Sequence, residues 1–150
     1  MEQVPVGTDR ILAEYIFRQL NQLEIRLNDL ANTVHKYFLI NQYTFSTTTT
    51  DTDPGTNKLQ VNNAAKANAT YLYINKYSLS NVDLYDILLS LKTRDIVTLS
   101  LSTNITDYAK YYVSGVAIDS TTYIKVPILL ITAAGAEFAN GSTLNIGLSY

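Results

Sequence analysis

Cysteine and tryptophan are absent from the 150 residues of this chain, and histidine occurs once. Without cysteine there is no disulfide framework, thiolate nucleophile, zinc finger or iron–sulfur cluster. A single imidazole excludes a multi-histidine metal site within one protomer. Charge is scarce as well: 11 Lys plus Arg against 13 Asp plus Glu give a net charge of -2, and charged residues make up only 16% of the chain. Soluble domains average about a quarter. Nothing in that balance provides the basic patch a nucleic-acid binder needs. Long hydrophobic runs are missing too. The longest, from Val126 to Ala136, is interrupted by Thr132 and Gly135 and falls far short of the roughly 20 residues of a membrane helix. The start, Met1-Glu2-Gln3-Val4-Pro5-Val6-Gly7, lacks the basic and apolar regions of a signal peptide. The expectation is a soluble chain made in a cytosol, with no nucleic-acid or membrane partner and no cofactor. Threonine, serine, asparagine and 12 tyrosines stand where charge is missing. That surface chemistry suits assembly better than a free cytosolic enzyme.

The first segment reads as a short extended arm, since Pro5 blocks a helix and Gly7 permits a turn. Thr8 or Asp9 is then the natural N-cap. From Arg10 to about Phe38 there is no glycine or proline. Ala13, Ile16, Leu20, Leu23, Leu27, Leu30, Val34 and Tyr37 follow one another at steps of three and four. That spacing is a heptad seam, with Ala13, Leu20, Leu27 and Val34 at a and the others at d. The strict stripe favours self-association over packing on the chain's own domain, where apolar faces are wider. The e and g positions carry few opposite charges, so ion pairs do not set the partner, and leucine at both a and d does not fix the oligomer number. Ile11, Tyr15 and Ile25 lie off the seam, and Leu12 and Phe17 widen the apolar surface near the start. Two explanations stand: contact with the chain's own β region, or docking of this end into a larger assembly.

Between Phe45 and Thr70 the pattern breaks. The run Ser46-Thr47-Thr48-Thr49-Thr50-Asp51-Thr52-Asp53-Pro54-Gly55 has almost no apolar content and reads as a linker. The remainder alternates with period two. Strands are predicted at Lys58–Asn62, Thr70–Tyr77, Asp95–Ser102, Tyr108–Ile118 with an irregularity at Gly115, Thr122–Thr132 and Thr143–Tyr150. Pro127 marks an edge or a bulge, and Asp119-Ser120-Thr121 a turn. In Thr70–Tyr77 both faces are apolar or aromatic, so both are expected to be covered. Leu84, Ile87, Leu88 and Leu91 fall at helical spacing, giving a short helix capped by Ser80 or Asn81. The fold class is therefore α+β. A coiled-coil-like helix precedes a mainly antiparallel β sandwich or barrel with one short helix. The divisions are 1–44 for the arm and helix, 45–57 for the linker and 58–150 for the β domain.

No catalytic signature is present: no nucleophile elbow, zincin helix, P-loop or dinucleotide fingerprint. His35 lies beside the helical seam and reads as an ordinary interfacial residue. Asp83 and Asp86 could pair their carboxylates, but acids near a helix start more often serve the macrodipole. Asp51 and Asp53 lack the completion of a calcium loop. The tyrosines remain. Tyr108, Tyr111 and Tyr112, with Tyr71, Tyr73 and Tyr77, form either a recognition surface or cross-strand and core pairs.

Two stretches carry a family resemblance. One is Val4-Pro5-Val6-Gly7-Thr8-Asp9 followed by the helix from Leu12 to Leu23. The other runs from Lys58-Leu59-Gln60-Val61-Asn62 through Ala69-Thr70-Tyr71-Leu72-Tyr73-Ile74 and the short helix to Tyr111-Tyr112-Val113-Ser114-Gly115-Val116, Thr122-Tyr123-Ile124-Lys125-Val126 and Phe138-Ala139-Asn140-Gly141-Ser142. In the order of these elements the chain resembles small virion proteins of tailed bacteriophages, with an anchoring N-terminal helix and a fibre- or decoration-like β domain. The Thr run and the long apolar strand depart from that pattern. The resemblance implies a non-enzymatic structural protein of the virion, assembled in the host cytoplasm. It also implies a homotrimer, whose helices gather near the particle while its β domains project outward. Its place is a tail or collar fibre or adaptor, or alternatively a capsid decoration or head-fibre protein. A further alternative is a module binding a host-surface glycan or protein. The expected partners are copies of the chain and other virion proteins. Val4, Pro5, Ile11, Leu12, Tyr15 and Phe17 would dock to the virion, and Tyr108, Tyr111 and Tyr112 would serve surface recognition.

Overall fold

The computed structural model describes residues 6–36 and 40–149, with side chains described for 9–28 and 41–149. The chain divides into two compact units, up to Lys36 and from Tyr37 onward. The first is the α-helix α1, Val6–Lys36. It starts earlier than the N-cap reading of Thr8 or Asp9, and it takes Gly7 into the helix. Asp9 instead sits in the first turn, where a carboxylate favours the positive end of the macrodipole. Arg10 and Glu14 add an exposed pair at 3.5 Å, one turn apart. Such a pair contributes only about 0.3–0.5 kcal/mol, so this pair adds little to the helix.

The second unit is a closed β-barrel. Its strands are β1 Ile40–Phe45, β2 Lys58–Val61, β3 Tyr71–Asn75, β4 Ile96–Leu101, β5 Asn104–Val113, β6 Ile118–Asp119, β7 Tyr123–Ala134 and β8 Thr143–Ser149. The staves run β1-β2-β3-β7-β5-β4-β8 and return to β1, a ring of seven. β6 adds a short pairing along β7. The barrel therefore replaces the sandwich among the sequence expectations. It removes the open edges a sandwich would keep. All pairings are antiparallel except β1 with β2, where Thr44 faces Lys58 and Phe45 faces Leu59. A parallel neighbour needs a long crossover, and the segment 46–57 provides it. Residues 40–45 thus belong to the barrel and not to a helical arm. The division at 44/45 moves to 36/37, Phe45 ends β1, and 46–57 joins two staves of one barrel.

Period two places the core. Val97 and Leu99 on β4, Leu144, Ile146 and Leu148 on β8, and Ile124, Val126 and Ile128 on β7 are buried, while their neighbours face outward. The short helix α2, Tyr85–Leu89, adds Leu88 to this core, and Leu84 and Leu91 flanking it are buried with it. It is shorter than the spacing predicts, and its cap is neither Ser80 nor Asn81. Asn81 has φ 60 and turns the chain, and the Asp83 carboxylate accepts the Tyr85 N–H at 2.9 Å.

The phase of β7 changes midway. Leu130 pairs with Tyr111 and Thr132 with Lys110, leaving Ile131 as the extra residue of a bulge. Inward positions shift from even to odd numbers there, so Leu130 and then Ala133 pack on the core. The irregularity is thus opposite Lys110/Tyr111. At Gly115 β5 has already ended, and the glycine leaves room for the Pro127 ring, whose Cγ would lie 3.3 Å from an added Cβ. The Pro127 carbonyl accepts from the Ser114 N–H at 2.9 Å. The proline nitrogen consequently faces the gap between β5 and β6, where no ladder donor is required.

Candidate functional surfaces

Three surfaces and one buried device stand out among the polar and aromatic side chains that the core does not use. The first surface is α1. Ile16, Leu20, Leu23 and Leu27 of the seam are exposed large apolar residues, and so are Ile11, Leu12, Tyr15, Phe17 and Ile25 off it. Ala13 is exposed as well. From Ile11 to Leu20 the apolar side chains spread over a face wider than the seam, and Arg10, Glu14 and Arg18 line the remaining side of the helix. Leu30 and Val34 are on α1, with side chains outside the described set, as is that of His35. Tyr37, Val4 and Pro5 lie outside the described residues altogether.

The second surface is the outward face of β2, β3 and β7, which the 46–57 segment straps over. Gln60 is buried on this face, and its amide donates to the Thr50 and Thr52 carbonyls at 2.8 and 3.2 Å. Asp51 then anchors the strap. Its carboxylate accepts from the Tyr123 hydroxyl at 2.9 Å and from Lys125 Nζ at 2.5 Å. The hydrogen bond from Lys125 and then that from Tyr123 hold the Asp51 carboxyl below its usual range. The same bond pushes the Lys125 ammonium up. Under the strap Tyr71 and Tyr73 stack in parallel at 6.4 Å, Tyr123 meets Tyr73 edge-on at 6.1 Å, and Lys125 lies 4.4 Å from the Tyr71 ring centre. Tyr73 is only 3% exposed although it points away from the core. Both faces of β3 are covered, as its two-sided apolar pattern requires.

The third surface is the outward flank of β5 and β7, which no strap covers. Tyr108, Lys110 and Tyr112 alternate outward there, while Ala109, Tyr111 and Val113 are buried. Tyr111 is therefore a core residue and no part of a recognition surface. Its hydroxyl donates to the Lys66 carbonyl at 2.7 Å. Tyr112 faces Leu129 across the ladder, and the two are 43% and 59% exposed. They line a cleft of about 540 Å³ with Thr93, Arg94, Val113 and Ser114.

The buried device is Lys66, in a short 3-10 turn at Lys66–Asn68. Its ammonium donates to the carbonyls of Ala134 at 2.7 Å, Gly135 at 3.3 Å and Ala136 at 2.5 Å. It also stands 4.8 Å from the Phe138 ring centre. The lysine ties down the turn after β7. Gly135 is required there, with φ +70 and Asp107 Oδ1 1.9 Å from where a Cβ would stand.

Asp119 is engaged locally. It accepts from the Tyr85 hydroxyl at 2.7 Å, which lowers its carboxyl first, and from the Thr121 N–H at 2.9 Å. Among the described residues no group of three His, Cys, Asp or Glu side chains comes together, and no helix is long and apolar enough to cross a membrane. Sequence reasoning missed the Asp51 anchor, the Lys66 device and the Arg94 cleft. Only the last had a signal, the outward phase of Tyr112. No family model, no curated protein and no solved structure matches this chain.

Proposed function

We propose that this chain is a non-enzymatic structural protein of a bacteriophage particle, a tail or collar fibre or adaptor that assembles as a homotrimer through α1. One observation carries the reading. A 31-residue helix exposes a row of large apolar residues at heptad spacing, while the barrel already closes its own core. An isolated helix gains little from propensity alone and needs its apolar face buried. Soluble monomers rarely leave such a continuous stripe in water. The seam supplies knobs for like helices, and Leu12, Tyr15 and Phe17 outside it remain to meet a second protein, the anchoring site on the particle. The closed ring of the barrel supports the structural role, because it offers few free strand edges for unwanted pairing. The order of elements that resembles phage virion proteins supports the location.

Two measurements test this. Light scattering on the full chain should return three times the chain mass. Label-directed electron microscopy of the particle should place the protein on the tail or collar. A label on the capsid shell would instead make it a decoration protein. A second reading, a module that recognises the host surface, is favoured by the outward Tyr108 and Tyr112 beside an open cleft.

A further inference from the structure

The geometry points to the cleft between the turn at 93–94 and the β5–β7 flank as a binding site for an acidic saccharide. Its volume of about 540 Å³ lies within the roughly 300–1,000 Å³ of small-molecule sites. The lining combines three chemistries. Tyr112 and Leu129 offer an aromatic and aliphatic surface to the C–H face of a pyranose. Thr93 and Ser114 offer hydroxyls for the ring's own hydroxyls. Arg94 offers a planar guanidinium, which pairs with a carboxylate through two parallel hydrogen bonds.

Arg94 is available for that role. Among the described residues the ion pairs are Arg10 with Glu14 and Lys125 with Asp51, so Arg94 takes part in none. The adjacent acid is committed elsewhere: the Asp95 carboxylate accepts the Lys92 N–H at 2.7 Å and closes the turn. That turn holds Arg94 at φ 82, a left-handed conformation in which glycine is the usual residue. The Arg94 N–H donates to the Val113 carbonyl at 2.9 Å, and the Val113 N–H to the Asp95 carbonyl at 2.8 Å. These two bonds fix the turn against the end of β5. A strained backbone is thus maintained with a long cationic side chain on it, at the mouth of a cleft with an exposed tyrosine. The sugar face explains the tyrosine, and the carboxylate explains the arginine.

The site lies wholly within the barrel and does not depend on α1, so it stands or falls separately from the trimer. The test is titration calorimetry of the full chain with a sialylated lactose and a galacturonic acid trimer. Plain lactose and the methyl-esterified trimer are the neutral arms, and acetate is the carboxylate without a sugar. At least one acidic sugar should bind about tenfold or more tighter than its neutral arm, and acetate should not compete. Arg94→Gln should cost about tenfold or more and erase the preference for acid. Tyr112→Ser should weaken acidic and neutral sugars alike. Arg94→Gly, which removes the guanidinium while relieving the left-handed backbone, should lose the same preference with an unchanged melting midpoint. The proposal is overturned if neither acidic sugar binds, if acetate competes equally, or if the Arg94 variants bind as the parent does. It is equally overturned if these substitutions change the mass of the assembly and not sugar binding, which would make the flank an interface between copies.

Discussion

Tyr43 and Tyr111 are both fully buried tyrosines of the barrel core, and replacing each with phenylalanine should move stability in opposite directions. The same atom is removed in both cases, so the difference lies in what surrounds it. The Tyr111 hydroxyl donates to the Lys66 carbonyl at 2.7 Å. Without it that carbonyl keeps only the long 3.4 Å bond from the Ala69 N–H, a loss of about 1–2 kcal/mol. The Tyr43 hydroxyl has no hydrogen-bond partner among the described residues. Its desolvation already costs about 1–3 kcal/mol that no bond offsets, so Tyr43→Phe should recover part of that. Urea unfolding of the barrel, followed by tyrosine fluorescence, reads both changes. With a slope of about 1–3 kcal/mol per molar urea, the two midpoints should separate by about one molar or more, on either side of the parent. The slope itself should not change. Equal falls in both midpoints would refute the reasoning, because they would mean that ring packing and not hydroxyl pairing governs these sites.

Alkali should act on the same pair. Burial, helped by Asp83 for Tyr43 and by Glu137 for Tyr111, raises both phenols above their ordinary value. The unfolded chain therefore ionises these phenols first, so stability is unaffected by them below the unfolded value of about 10 and falls as pH rises beyond it. The double phenylalanine variant should show a shallower fall in urea midpoint between neutral pH and strong alkali. Lys66→Met keeps the aliphatic stem but leaves the carbonyls of Ala134, Gly135 and Ala136 without their charged donor. It should cost about 2–4 kcal/mol and lower the melting midpoint by roughly 8–16 °C, as calorimetry would record. Asp51→Asn should free the strap: amide exchange should accelerate across 46–57 while β4 and β8 stay protected. Since the Asp51 carboxyl is held low, its contribution is present above the unfolded value of about 3.9 and lost as pH falls. The parent should therefore approach the variant's exchange pattern in acid.

Much of the barrel was legible from period two. Val97 and Leu99, or Leu144, Ile146 and Leu148, repeat at a spacing that only a strand turns to one face. What escaped has identifiable causes. Among its described side chains β1 buries Tyr43 and Phe45, and it follows a helical stripe that hides its start. The Thr run looked like a linker because its role is backbone work: the Thr50 and Thr52 carbonyls bind Gln60, and a single acid makes the anchor. Neither leaves an apolar mark. Tyr111 and Tyr112 differ only in phase, and the residue types alone could not tell core from surface. The bulge at Ile131 is likewise silent in sequence, since it lies inside a continuous apolar run. The helical seam was legible in spacing, and its side chains from Ile11 to Leu27 are exposed in the single chain. The spacing says that these side chains form a stripe and not what covers it.

The central claim is that α1 is a self-association helix, and the mass of the assembly tests it most directly. Sedimentation equilibrium should give the full chain a mass three times that of one 16.7 kDa protomer, unchanged on dilution. Leu20→Asp with Leu23→Asp would place carboxylates in the buried seam without partners. That variant should sediment as a monomer whose barrel keeps its melting transition. A parent chain that is monomeric at every concentration with its helix intact, or a double variant that remains trimeric, would contradict the account.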